Sequence, residues 1–304
     1  MQDPSYIILN DRGVIGIGGV DAVDFLQGLV SNDVAKVSPV RAIWSAMLTP
    51  QGKFLHEFFI ARHDDRLLLD CEAARRQDLI KKLSMYKLRA KVEITDETEK
   101  FSVAAVFGNG ALDAVGLSGA EGAEGATNAF AGGVVFSEPR LSEMGGRAIL
   151  PADTAAEALG RAGLKPAARA DYDTLRLTLG LPDGSRDMVV EKAILLENGF
   201  DELHGVDWDK GCYMGQELTS RTRYRGLIKK RLMPVTIDGP PPQPGTPLMA
   251  EGREAGEMRS SDGGLGLALV RLKYLDDGDA PPLKAGDATV SPRKPDWMRL
   301  PEKQ

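Results

Sequence analysis

The order of strand-like and helical patterns over the first hundred residues limits the fold of this chain more than any other feature. Short apolar or alternating runs, which are typical of strands, lie at residues 14–17, 41–48, 54–61, 67–70 and 92–95. Apolar residues recur at helical spacing in residues 21–30 and 73–89. The resulting β-α-β-β-α-β order is that of a split βαβ unit, and it predicts a ferredoxin-like α+β domain over residues 1–107.

The rest of the chain divides into a mixed region and a C-terminal region of strands. Residues 108–133 are rich in Gly and Ala with few large apolar residues, so they predict a loop or linker. Five prolines and two glycines in residues 239–247 predict a turn inside an all-β unit that begins near Lys230. Further strands are predicted at 134–136, 147–150, 264–272 and 288–290, and further helices at 153–162 and 172–179.

Composition excludes several classes of protein. A chain of 304 residues is longer than most single cores, so two or three domains are expected. A net charge of -6 argues against general binding to nucleic acid or membrane surfaces. No apolar run approaches the roughly 18 residues of a membrane helix, and the first ten residues do not resemble a signal peptide. Two cysteines, Cys71 and Cys212, build neither a disulfide framework nor a permanent zinc site, and they favour a reducing, cytoplasmic location.

Cys212 has an unusual local sequence. It follows Lys210 and Gly211 in the octapeptide KGCYMGQE, whose second glycine is Gly215. Nearby positive charge favours the thiolate, and glycines let a ligand approach the backbone closely. A reactive or ligand-binding thiol and a small buried apolar residue are both compatible with these neighbours. A basic segment follows, which is either a solvated stretch or a site for carboxylates or phosphates: Arg221, Arg223, Arg225, Lys229, Lys230 and Arg231.

Other polar motifs carry less information. The glycines of residues 13–19 do not fit a dinucleotide fingerprint, because the third glycine would fall on Asp21. His56, His63 and His204 are scattered without metal-ligand spacing, and we expect structural or exposed roles for them.

Four motifs together resemble one family. The segment KGCYMGQELTSRTRYRG at residues 210–226 resembles the signature of the YgfZ family, folate-binding proteins related to the glycine-cleavage T-protein, an aminomethyltransferase. Three further segments resemble motifs of the same family in the same order: FLQG with SNDV at 25–34, LTPQGK at 48–53 and RLTLGLP at 176–182.

The resemblance implies a three-domain, T-protein-like α+β fold. Its parts would be the ferredoxin-like domain at 1–107, a second α+β domain with the cysteine motif at 108–229, and a C-terminal β-barrel at 230–304. It also implies a central cavity for tetrahydrofolate and a role in the maturation or repair of iron–sulfur enzymes. The implied partners are folate and transient iron–sulfur client or carrier proteins, with no nucleic acid and no membrane.

The resemblance also assigns residues by position. Cys212 is the functional thiol, and Lys210 belongs to the same catalytic motif. Thr178 stands where the family has Glu, and a threonine cannot replace both carboxylate oxygens. Folate recognition is therefore expected to be altered, to be weakened, or to be supplied by another acid such as Glu191 or Glu197. The candidate folate-binding residues are Asn32, Asp33, Arg176, Glu197, Gly211, Arg221, Tyr224 and Arg225.

Two other functions remain open at this stage. In a true aminomethyltransferase, Asp33 is the acid from the matched motifs that could relay a proton. In a non-enzymatic folate-binding scaffold, Cys212 would only pack against its neighbours and would take no part in chemistry.

Overall fold

The computed structural model describes residues 3–119, 123–226, 228–275 and 283–300, which form two compact units. The first unit comprises the chain up to Leu48, Leu55–Tyr172 and His204–Met214. The second comprises Thr49–Phe54, Asp173–Leu203 and the chain from Gly215 onward.

Single helices separate groups of one to three strands along the first unit. The strands are β1 (Ser5–Ile8), β2 (Arg12–Gly18), β3 (Ile43–Leu48), β4 (Phe54–His63), β5 (Arg66–Glu72), β6 (Glu93–Asp96), β7 (Phe101–Phe107), β8 (Thr127–Phe130), β9 (Gly133–Ser137), β10 (Gly146–Pro151) and β11 (Lys165–Pro166). The helices are α1 (Ala22–Gln27), α2 (Arg76–Lys87), α3 (Ala111–Ala114), α4 (Ala155–Arg161) and α5 (Arg169–Leu179), whose last seven residues belong to the second unit.

These strands form two sheets. One has the order β3-β4-β5-β2-β6, and the other has the order β11-β1-β7-β10-β9-β8. The strand β2 and most of β4 are buried on both faces, which explains their nearly continuous apolar sequences. Helix α1 buries Leu26 against the first sheet, and α2 buries Leu79 and Leu83 in the same core.

A network of ionised side chains lies buried in the first unit. Arg147 bridges two acids, with Nη1 2.6 Å from Asp70 Oδ2 and Nε 3.2 Å from Glu138 Oε2. Burial disfavours the Arg147 charge, but the neighbouring Tyr172, Asp70 and Glu138 outweigh this effect and raise its pKa. The network consists of Arg12, Glu57, Asp70, Glu138, Arg140 and Arg147.

The second unit is dominated by a barrel. Its helices are α6 (Gly184–Asp187) and α7 (Gln216–Tyr224). Its strands are β12 (Lys230–Asp238), β13 (Pro247–Ala250), β14 (Arg253–Asp262), β15 (Leu265–Arg271), β16 (Leu283–Ala285) and β17 (Ala288–Pro292). Within the described ranges, these six strands close in the order β12-β15-β14-β13-β16-β17, around a core that includes Val235, Met258, Ala268 and Val290.

The predicted α+β class and the C-terminal barrel are confirmed. The prediction of a loop or linker over residues 108–133 is wrong for part of that segment, because α3 and β8 lie in it; residues 120–122 lie outside the described residues. The segment has few large apolar residues, so its sequence predicts neither a helix nor a strand. However, Val115 and Leu117 pack into the core beneath the second sheet. Strand β14 was missed because its sequence, REAGEMRSSD, is mostly polar.

Candidate functional site

Cys212 is exposed on a loop of the first unit. The backbone φ angle is +89° at Gly211 and +81° at Gly215, a region that glycine adopts without strain. The other thiol, Cys71, is buried, and burial raises its pKa to about 12. The two cysteines therefore differ sharply in accessibility, and Cys212 is the one available for chemistry.

The loop that carries Cys212 is clamped to the end of helix α1. Lys210 Nζ donates hydrogen bonds to the carbonyl oxygens of Gln27, at 2.7 Å, and Val30, at 2.5 Å. In return, Gln27 Nε2 donates to Lys210 O at 3.3 Å, and the backbone N–H of Met214 donates to Gly28 O at 3.0 Å. The last carbonyls of a helix lack intrahelical partners, so a lysine at this position satisfies groups that would otherwise need water.

The environment of the Lys210 ammonium group is partly desolvated. Burial lowers the pKa of Lys210 to about 8, although the charges of Asp33 and Asp207 oppose the shift. The Nζ atom also lies 4.9 Å from the centroid of the Tyr213 ring, at cation–π distance. These contacts make Lys210 a positioning residue for the cysteine loop.

Asn32 holds together distant parts of the first unit. Its Nδ2 donates to the carbonyl oxygens of Trp44, at 2.7 Å, and His204, at 2.6 Å. Its backbone N–H donates to Ser45 Oγ at 3.0 Å. Because both amide hydrogens are used, the side chain of Asn32 shapes the site by fixing its walls.

Asp33 caps the short 3-10 turn Val34–Lys36. Its Oδ1 accepts hydrogen bonds from the backbone N–H of Ala35, at 3.0 Å, and from Gln27 Nε2, at 2.8 Å. Asp33 therefore connects the turn to the same glutamine that meets Lys210. This geometry gives Asp33 a structural role and does not favour the proton relay that an aminomethyltransferase would require.

A cavity of about 230 Å³ opens beside Asn32 within the first unit. Lys36, which pairs with Asp207, and the exposed Arg41 contribute two cations to its wall. Sequence reasoning missed both, because Lys36 and Arg41 lie outside the motifs and no spacing connects them to the cysteine. The further lining residues are Ala42, Ile43, Trp44, Glu124, Pro139, His204 and Val206.

Arg176 lies in the second unit, where it is fully buried. Its Nη1 donates to Asp187 Oδ2 at 2.6 Å and to Leu181 O at 2.9 Å. Asp187 Oδ1 in turn accepts from Ser260 Oγ at 2.5 Å, which connects α5 and α6 to the barrel strand β14. The Nη2 atom of Arg176 is buried without a hydrogen-bond partner among the described residues. Most of this guanidinium group is therefore committed to holding the unit together.

Glu197 is half-buried in the second unit. Burial raises its pKa, while Lys230 and Lys53 and the backbone N–H of Lys229 oppose this effect. Because backbone N–H groups already donate hydrogen bonds to its carboxylate, Glu197 has few acceptor positions left for a pterin. The alternative acid, Glu191, is exposed, as is Thr178 on α5.

Helix α7 and the residue that follows it carry three further candidates of the second unit. Arg221, Tyr224 and Arg225 are exposed, with Tyr224 exposed by 82%. Arg221 lies 3.8 Å from Glu217, one turn earlier on the same helix. The structure therefore brings Asn32, Asp33, Lys210, Gly211 and Cys212 together in the first unit, and it places Arg176, Glu197, Arg221, Tyr224 and Arg225 in the second.

Neither metal clusters nor membrane helices are present in the part of the chain that the structure describes. No three histidine, cysteine or carboxylate side chains of these residues are grouped so that they could hold a metal ion. No helix among them combines the length and the apolar character needed to cross a bilayer.

Two domain families match the chain. Residues 9–118 match the GCVT N-terminal domain, and residues 229–300 match the C-terminal beta-barrel domain of CAF17. The crystal structure of the glycine cleavage system aminomethyltransferase T from Bartonella henselae has the same fold, with a TM-score of 0.76 and 17% identity over 94% of this chain and 84% of that chain. The T-protein-like fold expected from the sequence is thus confirmed, and at this identity the likeness shows the fold alone.

Iron–sulfur cluster assembly factors are among the proteins that this chain resembles. The mitochondrial IBA57 homolog of Mycosarcoma maydis is 31% identical over 91% of this chain and 77% of that protein. The mitochondrial IBA57 of Homo sapiens is 32% identical over 86% of this chain and 76% of that protein.

The names of these relatives correct one expectation. They are mitochondrial proteins, and this finding contradicts the cytoplasmic location predicted above. The prediction was wrong because a low cysteine content indicates only a reducing compartment and cannot tell one such compartment from another.

Proposed function

This chain belongs to the IBA57 family of iron–sulfur cluster assembly factors, and on that premise we propose that it assists the maturation or repair of iron–sulfur enzymes. The YgfZ family, which its motifs resemble, is related to this family. Transient contact with iron–sulfur client or carrier proteins is part of the proposal.

The observation that carries the proposal is the exposed thiol on a clamped loop. Cys212 is accessible. Its loop is held against α1 by two hydrogen bonds between Lys210, on the loop, and Gln27, on the helix. A thiolate is the form that binds iron or attacks sulfur. Because a cluster needs several ligands, a lone cysteine suits transient transfer or exchange and does not suit permanent storage.

Replacement of each cysteine in turn tests the role of the thiol. In a strain that lacks this protein, Cys212→Ala should fail to restore the activity of iron–sulfur enzymes, although it folds normally because the side chain is exposed. The matched control, Cys71→Ala, removes the buried thiol and should still restore activity. Full rescue by Cys212→Ala would show that the thiol has no part in the function.

Tetrahydrofolate is the second part of the proposal. The cavity of about 230 Å³ is smaller than the roughly 300–1,000 Å³ typical of sites for whole drug-sized ligands, so it suits one end of a folate. Its wall carries two cations, Lys36 and Arg41, and two acids, Asp207 and Glu124. Because Lys36 pairs with Asp207, Arg41 is the cation to which we assign a carboxylate of the glutamate end. The resemblance of the motifs around Asn32 supports the same ligand.

Titration with tetrahydrofolate tests this part separately. Arg41→Ala should weaken binding by about 10- to 150-fold, since charge-assisted hydrogen bonds to carboxylates contribute roughly 1.5–3 kcal/mol. Arg161→Ala, at an exposed position on α4, should bind like the wild type. Equal affinity of both variants would exclude the cavity as the folate site.

Thr178→Glu in the same titration tests a different point, namely whether the absence of the family's glutamate at this position limits the affinity for tetrahydrofolate.

A further inference from the structure

Three large apolar side chains stand in solvent at one end of the first unit. Val20 is 84% exposed, Met85 is 66% exposed and Leu88 is 89% exposed. Single exposed apolar residues are normal on a protein surface, whereas neighbouring ones mark interaction sites. We call these three residues the apolar knob.

Backbone contacts bring the members of the knob to the same end of the unit. Met85 lies in the last turn of α2, and Leu88 directly follows this helix. Val20 lies in the turn before α1, which is joined to the segment after α2 because the backbone N–H of Lys91 donates to Asp21 Oδ2 at 2.7 Å. The knob is therefore formed by two adjoining turns.

Leu88 has a backbone conformation that its side chain disfavours. Its φ angle is +44° and its ψ angle is -106°, outside the regions that residues with a branched apolar side chain normally adopt. A glycine would relieve this strain. Because Leu88 is exposed, burial within the unit does not compensate for the strain, and such outliers often occur where a residue serves a binding surface.

Three basic residues lie at the end of α2 and directly after it, beside Leu88 in the sequence, and we call them the basic collar. It consists of Lys87, Arg89 and Lys91, of which Arg89 and Lys91 are exposed. Within the described ranges, none of these three cations has a carboxylate at ion-pair distance. The whole chain has a net charge of -6, so this collar differs in sign from the protein that carries it. A partner face that complements it carries acidic residues around an apolar pocket.

We propose that the apolar knob and its basic collar are a docking surface for a protein partner with an acidic face. A lipid surface is the other class of ligand that combines apolar and anionic groups. However, Leu79 and Leu83 of α2 are buried in the core, so this helix cannot turn its apolar face into a bilayer. The knob adjoins the start of α1, whereas the thiol loop contacts the end of this helix, and the proposal does not depend on the chemistry of Cys212.

Photo-crosslinking in cells, followed by binding measurements, tests the proposal. The full chain carries benzoylphenylalanine in place of Met85, and in a parallel chain in place of Val40, which is exposed by 71% outside the knob. A protein that is captured only from Met85 is then purified, and its affinity is measured with the wild type, Leu88→Asp and Leu88→Gly. We expect an acidic partner whose affinity falls at least about tenfold in both variants, as for a central interface residue, and falls further with added salt.

Leu88→Gly separates docking from folding. Because glycine accepts a positive φ angle, this variant should unfold at the same or a higher denaturant concentration than the wild type while it loses the partner. Identical capture from Met85 and Val40, cross-links only between two copies of this chain, or wild-type affinity of Leu88→Asp would each overturn the proposal. Binding to vesicles of anionic lipid that disappears in Leu88→Asp, without any protein partner, would overturn it in favour of a membrane.

Discussion

Gln27 and Lys210 bind each other reciprocally, because the side chain of each residue donates to the backbone carbonyl of the other. The two distances are 2.7 Å from Lys210 Nζ to Gln27 O and 3.3 Å from Gln27 Nε2 to Lys210 O. The residues are 183 positions apart in the sequence. The motif around α1 and the cysteine motif are therefore parts of one structural feature.

The first prediction concerns Gln27→Ala. This change removes the donors to Asp33 and Lys210 and the acceptor of the Val34 N–H, so it should lower the free energy of unfolding by about 1–3 kcal/mol. Urea denaturation measures the change, and alkylation of Cys212 should become faster as the loop loosens. Gln77→Ala, which removes an exposed hydrogen bond on α2, is the control and should change stability by less than about 0.5 kcal/mol. An unchanged midpoint for Gln27→Ala would contradict the clamp.

Lys210 provides a prediction for alkaline pH. Its pKa is about 8 in the folded protein, against an ordinary value of 10.5, so the unfolded chain binds more protons between these two pH values. Stability therefore rises as the pH increases from 8 toward 10.5. The free energy of unfolding, compared between the wild type and Lys210→Met across this range, should diverge in favour of the wild type. Parallel curves would show that the folded protein does not depress the pKa of Lys210.

Much of the fold could be predicted from periodic burial, but the site could not. Helix α2 buries Leu79 and Leu83 one turn apart, and strand β4 is a mostly apolar run that is buried over its first eight residues, so the sequence reveals both directly. Strand β14 has a mostly polar sequence, so its burial is not visible in the sequence. It also contains Gly256, a residue that is rare in strands, because a Cβ atom there would lie 2.3 Å from Leu269 O. Lys210 meets its hydrogen-bond partners only when the chain folds, and the same holds for the cations that line the cavity. No local sequence pattern connects Arg41 to Asn32, so these contacts could not be predicted.

His56 provides a prediction for acidic pH. Its side chain is buried, with Nε2 2.9 Å from Asp78 Oδ2, and burial together with the charge of Arg75 lowers its pKa to about 4. The unfolded chain binds a proton near pH 6.5 and the folded protein does not, so stability falls as the pH decreases from 6.5 toward 4. The full effect is about 3 kcal/mol, from roughly 1.36 kcal/mol per pKa unit.

Substitution of this histidine isolates its contribution. His56→Gln should retain a donor for Asp78 and show a flatter decline of stability between pH 6.5 and 4 in denaturant titrations. His63→Gln, at the end of the same strand, should decline like the wild type. A wild-type decline in His56→Gln would assign the acid sensitivity to other groups.

The buried charge network provides the largest predicted effect. Arg147→Met removes the cation that Asp70 and Glu138 share, and the loss of this charge compensation should cost about 3–5 kcal/mol. Thermal and urea unfolding measure this loss. Arg161→Met removes only an exposed contact with Glu157 and should cost less than about 0.5 kcal/mol. Similar losses in the two variants would show that the network does not stabilise the unit.

The contrast between the two sulfur atoms makes the native protein a natural template for site-selective labels. A maleimide dye added to the folded chain would attach at Cys212 alone, so fluorescence or spin measurements could follow that loop without any engineered residue. Cys71, sealed inside and directed toward Gly13 O at 3.6 Å, would react only when the first sheet opens. The rate at which a second equivalent of maleimide is consumed would therefore measure how often the core opens.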